Sequence, residues 1–267
     1  MVHLQPMKWR DDGWPVMGAD QDGDGCGEPV RTWKKPATRG SRPAAVPATS
    51  DEFAARTLGL QWQWQANPRD GWMSLAARPG ALRLFSQPAP AGDNLWLVPN
   101  VLLQKLPAPE FVATAALHFS PRADGDRAGL LISGQDYAWV GMTRENGQVR
   151  LVVRSLKGAK DATGTETTSE VVSGWPRRVK PAAYANPKIT LEGVSYLRVT
   201  VTRGGVFRFS AGSDLERLSP VGVEFLARAG DWVVPKVGLF ALGPAGAAAL
   251  GYADWDWFRV EPPADSR

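Results

Sequence analysis

The chain has 267 residues, 43% hydrophobic and 22% charged, an ordinary balance for a globular protein with enough length to build a core. Its net charge is +4, and the basic residues are scattered apart from Lys34-Lys35 and Arg177-Arg178, so no stripe or run points to a nucleic-acid partner. Cys26 is the single cysteine, which excludes an intramolecular disulfide and a cysteine-based metal site; no apolar run of about 18 residues suggests a membrane span, so no membrane partner is expected.

Read from the start, Met1-Val2-His3-Leu4-Gln5-Pro6 lacks the basic-then-apolar order of a signal peptide and resembles the middle of a folded strand. Residues 1–36 are rich in Trp, Gly and Asp. Residues 37–50 are Pro, Ala, Ser and Arg without periodicity, the composition of a semi-extended linker. Residues 51–261 form one globular unit, and 262–267 read as a frayed tail.

Within that unit hydrophobicity alternates with period two. Ala81–Phe85 follows an Arg78-Pro79-Gly80 turn, and Phe111–Phe119 is a long strand. Arg127–Ile132 and Ala138–Met142 come next. Gln148–Arg154 follows the turn Glu145-Asn146-Gly147, a hairpin signal. Tyr196–Thr202 turns at Gly204-Gly205 into Val206–Ser210, and Val237–Leu242 precedes a last strand, Tyr252–Val260. No segment has the pattern of an amphipathic helix. Many short strands separated by Gly and Pro turns predict an all-β, antiparallel β-sandwich.

Twelve tryptophans are many for this length. Trp62 and Trp64 alternate with Gln61, Gln63 and Gln65, giving one aromatic and one amide face. That pattern is a plausible sugar platform, with Trp72 as a further candidate, but packing of Trp62 and Trp64 in the core is the favoured reading. Among acids, Asp254 and Asp256 share a face in plain strand geometry, roughly 6–7 Å apart. An inverting glycosidase holds its two carboxylates about 6.5–9.5 Å apart, but no cleft-forming loops flank this pair. Asp20-Gln21-Asp22-Gly23-Asp24-Gly25 mimics the start of an EF-hand loop; Arg31 stands where the bidentate acid is needed, so the stretch reads as a surface loop. His118 and Cys26 have no partner set for zinc or for a nucleophile.

Several segments occur together in the order of a known family: Asp51-Glu52-Phe53, Leu60-Gln61-Trp62-Gln63-Trp64, Ala77–Leu84, Asp126-Arg127-Ala128-Gly129-Leu130, Tyr196–Val201 and Tyr252-Ala253-Asp254-Trp255-Asp256-Trp257-Phe258. Over residues 51–261 they resemble the C-terminal concanavalin A-like (jelly-roll type) β-sandwich of glycoside hydrolase family 43, the β-xylosidases and α-L-arabinofuranosidases. Val2–Met7 and Asp12-Gly13-Trp14-Pro15-Val16 are similar to the last blade of that family's β-propeller. The resemblance implies that His3 helps hold the propeller metal of a full enzyme. It implies that the catalytic acids lie in an earlier part of the propeller, so this chain reads as a C-terminal portion, with the catalytic propeller as its partner. It implies a structural calcium tying first strand to last, with Asp51, Asp254 and a carbonyl near Gly80 as ligands, or else Asp51 capping a turn and Asp254 facing solvent. It implies a pocket-rim role for the Phe240 region, contact with xylan- or arabinan-derived oligosaccharides, and secretion or a periplasmic location for the full-length enzyme. On this reading the chain alone hydrolyses nothing, and a free-standing carbohydrate-binding module is the rival expectation.

Overall fold

A computed structural model describes residues 4–34, 46–90, 93–173, 193–228, 235–247 and 249–263. The chain divides into two compact units, residues 1–46 and 47–267. Most of the expected linker lies outside the described residues, but its last two residues belong to the second unit: the Gln104 side chain donates to the Thr49 carbonyl at 2.9 Å, and Ser50 Oγ accepts from the Val260 N–H at 2.8 Å.

The first unit is built on a hairpin, β1 (Met7–Trp9) and β2 (Pro15–Met17), with Lys8 opposite Val16. Its turn closes through Arg10 N–H to the Trp14 carbonyl at 2.8 Å, and Gly13 takes the positive φ of 85° that a side chain resists. So short a hairpin cannot bury its own apolar residues. Met7, Trp9, Trp14, Met17 and Trp33 are all exposed.

The second unit contains β3 (Gln63–Trp64), β4 (Met73–Ser74), β5 (Leu82–Phe85), β6 (Gln87–Pro88), β7 (Leu102–Lys105), β8 (Phe111–Ser120), β9 (Arg127–Ser133) and β10 (Tyr137–Glu145). It continues with β11 (Gln148–Leu156), β12 (Thr167–Ser173), β13 (Val194–Thr202), β14 (Val206–Gly212), β15 (Ser219–Leu226), β16 (Lys236–Gly243) and β17 (Tyr252–Glu261). The first sheet runs β15-β14-β13-β8-β17-β5-β4; the second runs β12-β11-β10-β9-β16-β7-β3, with β6 added in parallel to the end of β16. All other pairings are antiparallel, and the last strand sits between β8 and β5 in the centre of the first sheet. Among the described residues the only helical element is one 3-10 turn, Leu95–Leu97.

Alternation along the strands fills the space between the sheets. Leu117, Leu197, Val199, Ala253, Trp255 and Phe258 come from the first sheet, and Leu130, Val140, Leu151 and Leu239 from the second. Each buried Leu, Val or Phe among them stabilises the fold by about 1.5–3 kcal/mol when removed from water. A second apolar cluster lies on the outer face of the second sheet, where Leu95, Val98 and Val101 of the 93–101 segment cover Leu131, Trp139 and Phe240. The second sheet therefore packs apolar side chains against both of its faces.

Candidate functional site

The expected acids lie on the outer face of the first sheet, and arginines hold them. Asp254 on β17 accepts from Arg83 Nε at 2.7 Å and Arg83 Nη2 at 2.8 Å, a bidentate pair across the β17–β5 ladder. Arg83 also lies over the Tyr252 ring at 3.8 Å. Its pKa is raised, chiefly by the Asp254 hydrogen bond; burial opposes this, and the charge of that carboxylate adds a lesser upward push. Asp256 receives Arg78 Nη1 at 2.8 Å and meets His118 Nε2 at 3.1 Å.

The register of β17 slips between Trp255 and Trp257, where Trp255 pairs with Leu117 and Trp257 with Ala116, so Asp256 is the extra residue of a bulge. Plain alternation puts both tryptophans on one face. The bulge instead sends Trp255 into the core and Trp257 to the outer face, stacked on Tyr196 at 5.9 Å.

The three expected calcium ligands do not converge. Asp51 bridges Phe258 through two backbone hydrogen bonds of 2.7 and 2.8 Å. Along a strand that position is about 13 Å from Asp254. Its Oδ1 accepts from the Phe53 N–H at 2.8 Å and its Oδ2 from the Trp62 indole at 2.9 Å, so Asp51 caps a turn and anchors a core ring. Gly80 occupies a turn at φ 78°, where the Arg78 carbonyl already accepts from the Ala81 N–H at 3.1 Å. Calcium needs roughly six to eight oxygens with free lone pairs. Asp254 offers oxygens engaged by one guanidinium with a second 3.9 Å away, so this set does not fit the ion. His3 lies outside the described residues.

The aromatic candidates face inward. Trp62 is 8% exposed and packs between Phe53 at 5.9 Å and Phe258 at 5.2 Å. Trp72 is 5% exposed and meets the half-buried Trp64 edge to face at 5.3 Å. Trp62 and Trp72 offer no free ring face for a pyranose and Trp64 packs against the core, which corrects the expectation of a three-ring sugar platform. Phe240 lies within β16, fully buried against Trp139 at 5.2 Å, and is part of no loop or rim. In the first unit Asp20, Asp22 and Asp24 gather within 4.8 Å, but all three are exposed and accept hydrogen bonds from their own loop, at 2.7 Å for Asp20 with the Gly23 N–H.

Residue reading missed two buried carboxylates. Asp126 is wholly buried and its Oδ2 accepts three N–H groups, from Arg122 at 2.6 Å and from Ala123 and Gly251 at 3.0 Å. Asp136 accepts from the Gly158 N–H at 2.8 Å and from Arg228 Nε at 2.9 Å, with Lys157 Nζ 3.4 Å away. Burial alone pushes the Asp136 carboxyl upward, but the Arg228 and Gly158 hydrogen bonds and the Lys157 charge outweigh it, and its pKa is lowered. Both tie loops together. The signal that marks Asp126 is the pair Gly243 and Gly251: a Cβ on either would come within 2.6 or 2.8 Å of its carboxylate oxygens.

These features define a β-sandwich whose carboxylates serve as internal ties. The model of the beta-xylosidase C-terminal concanavalin A-like domain matches residues 50–261, and the chain belongs to that family. A beta-xylosidase of Formosa agariphila is 29% identical over 279 aligned residues, covering 97% of this chain and 42% of the relative. A non-reducing end alpha-L-arabinofuranosidase of Bacteroides ovatus is 27% identical, covering 96% of this chain and 44% of the relative. A GH43 protein from Bacillus licheniformis superposes with a TM-score of 0.66 at 23% identity, over 97% of this chain and 46% of that one. The chain thus spans less than half the length of these relatives.

Proposed function

We propose that the chain serves as the accessory sandwich of a β-xylosidase- or arabinofuranosidase-like glycoside hydrolase, supporting a catalytic propeller and helping to shape its pocket. The observation that carries this reading is the state of Asp254 and Asp256. They are the two acids that regular strand geometry would space like a glycosidase pair, yet both are bound by guanidinium groups. A general acid must hold a proton and a general base must present a free lone pair to water. Arg83 donates to both oxygens of Asp254 and Arg78 engages Asp256, so these lone pairs are taken up by internal ties.

The exposed Met7, Trp9, Trp14 and Met17 of the hairpin further support a catalytic-domain partner, because so much apolar surface on one short hairpin calls for a cover. Xylan- and arabinan-derived oligosaccharides are the substrates of the proposed whole enzyme. Purified chain incubated with aryl xylosides and aryl arabinofuranosides is expected to release no aryl group above a buffer blank. Turnover abolished by Asp254→Asn would overturn the accessory reading.

A further inference from the structure

The turn between β10 and β11 carries chemistry that packing of the sandwich does not use. Glu145 pairs with Gln148 and leaves a two-residue loop, Asn146-Gly147, with φ of 51° and 72°. Positive φ at both positions is the primed hairpin turn that matches strand twist, and asparagine and glycine are the residues that tolerate it. Both are exposed, and a Cβ on Gly147 would meet no atom within 4 Å. Among the described residues no hydrogen bond holds the Asn146 carboxamide.

An asparagine Cγ stands one five-membered ring closure away from the backbone nitrogen of the next residue. Most asparagines of this chain are closed to that reaction. Asn67 and Asn186 precede prolines, whose nitrogen carries no proton to give up. Asn94 and Asn100 are buried, and their side chains donate to the Ala159 and Ala241 carbonyls at 2.7 and 3.1 Å. They also precede Leu95 and Val101, whose side chains crowd the nitrogen. Asn146 has a free side chain, open solvent and a glycine to follow.

The nitrogen that would attack is not free. The Gly147 N–H donates to both oxygens of Asp124, at 3.0 and 3.1 Å. Arg144 Nε lies 3.1 Å from the same carboxylate, and the Gly125 N–H donates to the Arg144 carbonyl at 2.8 Å, so the Asp124 loop is tied to the hairpin. Attack requires the nitrogen to lose its proton. Carboxylates are weak bases and do not remove peptide protons. The negative charge of Asp124 instead disfavours a second negative charge on the adjacent nitrogen, and its hydrogen bond stabilises the protonated form.

We propose that Asn146-Gly147 is a site of spontaneous covalent modification, by succinimide formation, and that Asp124 restrains it. The Gly147 N–H proton passes to solvent hydroxide, the nitrogen bonds to Asn146 Cγ, and the Cγ–Nδ2 bond breaks with Nδ2 leaving as ammonia. Water then opens the ring. Cleavage at Cγ gives aspartate, and cleavage at the main-chain carbonyl gives isoaspartate, with the chain rerouted through Cβ and Cγ. Either product puts a new carboxylate beside Asp124 and Glu145, and isoaspartate also lengthens a turn that the Glu145–Gln148 pair limits to two residues.

The test is peptide mass analysis of the full chain held at mildly alkaline pH over a time course in water enriched in heavy oxygen. Trypsin cuts after Arg144 and Arg150, so the site falls in the peptide Glu145–Arg150. That peptide is expected to change from amide to acid before those carrying Asn94 or Asn100, to take up heavy oxygen, and to split into aspartyl and isoaspartyl forms. Asp124→Ala should speed the conversion about fivefold, the scale of one unit charge a few ångströms away in water. The Asp124 side chain is 52% exposed, so the variant should fold, and an unchanged far-UV spectrum checks this. Added salt screens the Asp124 charge and should speed the native chain but not the variant, a difference that mere loosening of the loop would not produce. A Glu145–Arg150 peptide that stays an amide, or that converts after a buried asparagine, would overturn the site. Equal rates in the two proteins, or an equal response to salt, would overturn the restraint by Asp124.

Discussion

The tryptophans of the two units have opposite surroundings. In the first unit Trp9, Trp14 and Trp33 are 67%, 69% and 56% exposed. In the sandwich Trp62, Trp72, Trp139 and Trp255 range from 8% down to 0%. The residue type is the same; the difference is how much chain is available to cover it. Two sheets facing each other bury indole rings from both sides, whereas a hairpin of two three-residue strands has no second layer. Tryptophan content therefore reports on the core of the sandwich and on an uncovered surface of the hairpin, and only the position of each ring separates the two.

The largest effect that sharpens this comparison is expected at Trp255. It is wholly buried in the centre of β17, where it faces the second sheet. Trp255→Ala should cost about 3–5 kcal/mol, the range for a buried large aromatic. Urea unfolding followed by far-UV circular dichroism measures it. A loss below about 1 kcal/mol would mean that the two sheets do not pack as described.

Asp126 comes next. Replacing it with Asn keeps the shape but puts an amide or a neutral carbonyl where a carboxylate receives three N–H groups, so a loss of about 2–3 kcal/mol is expected from the weakened charge-assisted bonds. Hydrogen exchange should locate the damage in residues 120–126 and 243–251. Uniform acceleration across both sheets would contradict a local tie.

Asp136 supplies a pH test. Its folded pKa is depressed, so its contribution to stability is fully present above the unfolded carboxyl value, near 3.8, and is lost as pH falls through the lower folded value. The native protein should lose stability on acidification below that point more steeply than Asp136→Asn, which lacks the linkage. Parallel curves for the two proteins would show that Arg228 and Lys157 do not hold the carboxylate.

Much of the fold was legible because period-two alternation survives in the central strands. Phe111–Phe119, Gln148–Arg154 and Tyr196–Thr202 fall within β8, β11 and β13. The edge strands β12 and β15 were not legible: Thr167-Thr168-Ser169-Glu170 is polar, and Ser219-Pro220-Val221-Gly222 carries the Pro and Gly that usually punctuate loops. The site was harder still. Arg83 and Asp254 are 171 residues apart in sequence, and nothing local in either segment announces the other. The Asp256 bulge also defeats any argument from alternation, because one extra residue exchanges the two faces of everything that follows it.

The smallest effect is expected in the hairpin. Trp14 is 69% exposed and its backbone closes the β1–β2 turn through the carbonyl that accepts from the Arg10 N–H. Trp14→Ala keeps that carbonyl and removes only a ring already in water, so the unfolding free energy of the sandwich should change by less than about 0.5 kcal/mol. The same substitution should matter for solubility, because exposed indole promotes self-association. Sizing chromatography across a concentration series is expected to show less association in the variant than in the native chain. If stability instead falls by 2 kcal/mol or more, on the order of a buried aromatic contact, Trp14 is a packed residue and the contrast between the two sets of tryptophans fails at that position.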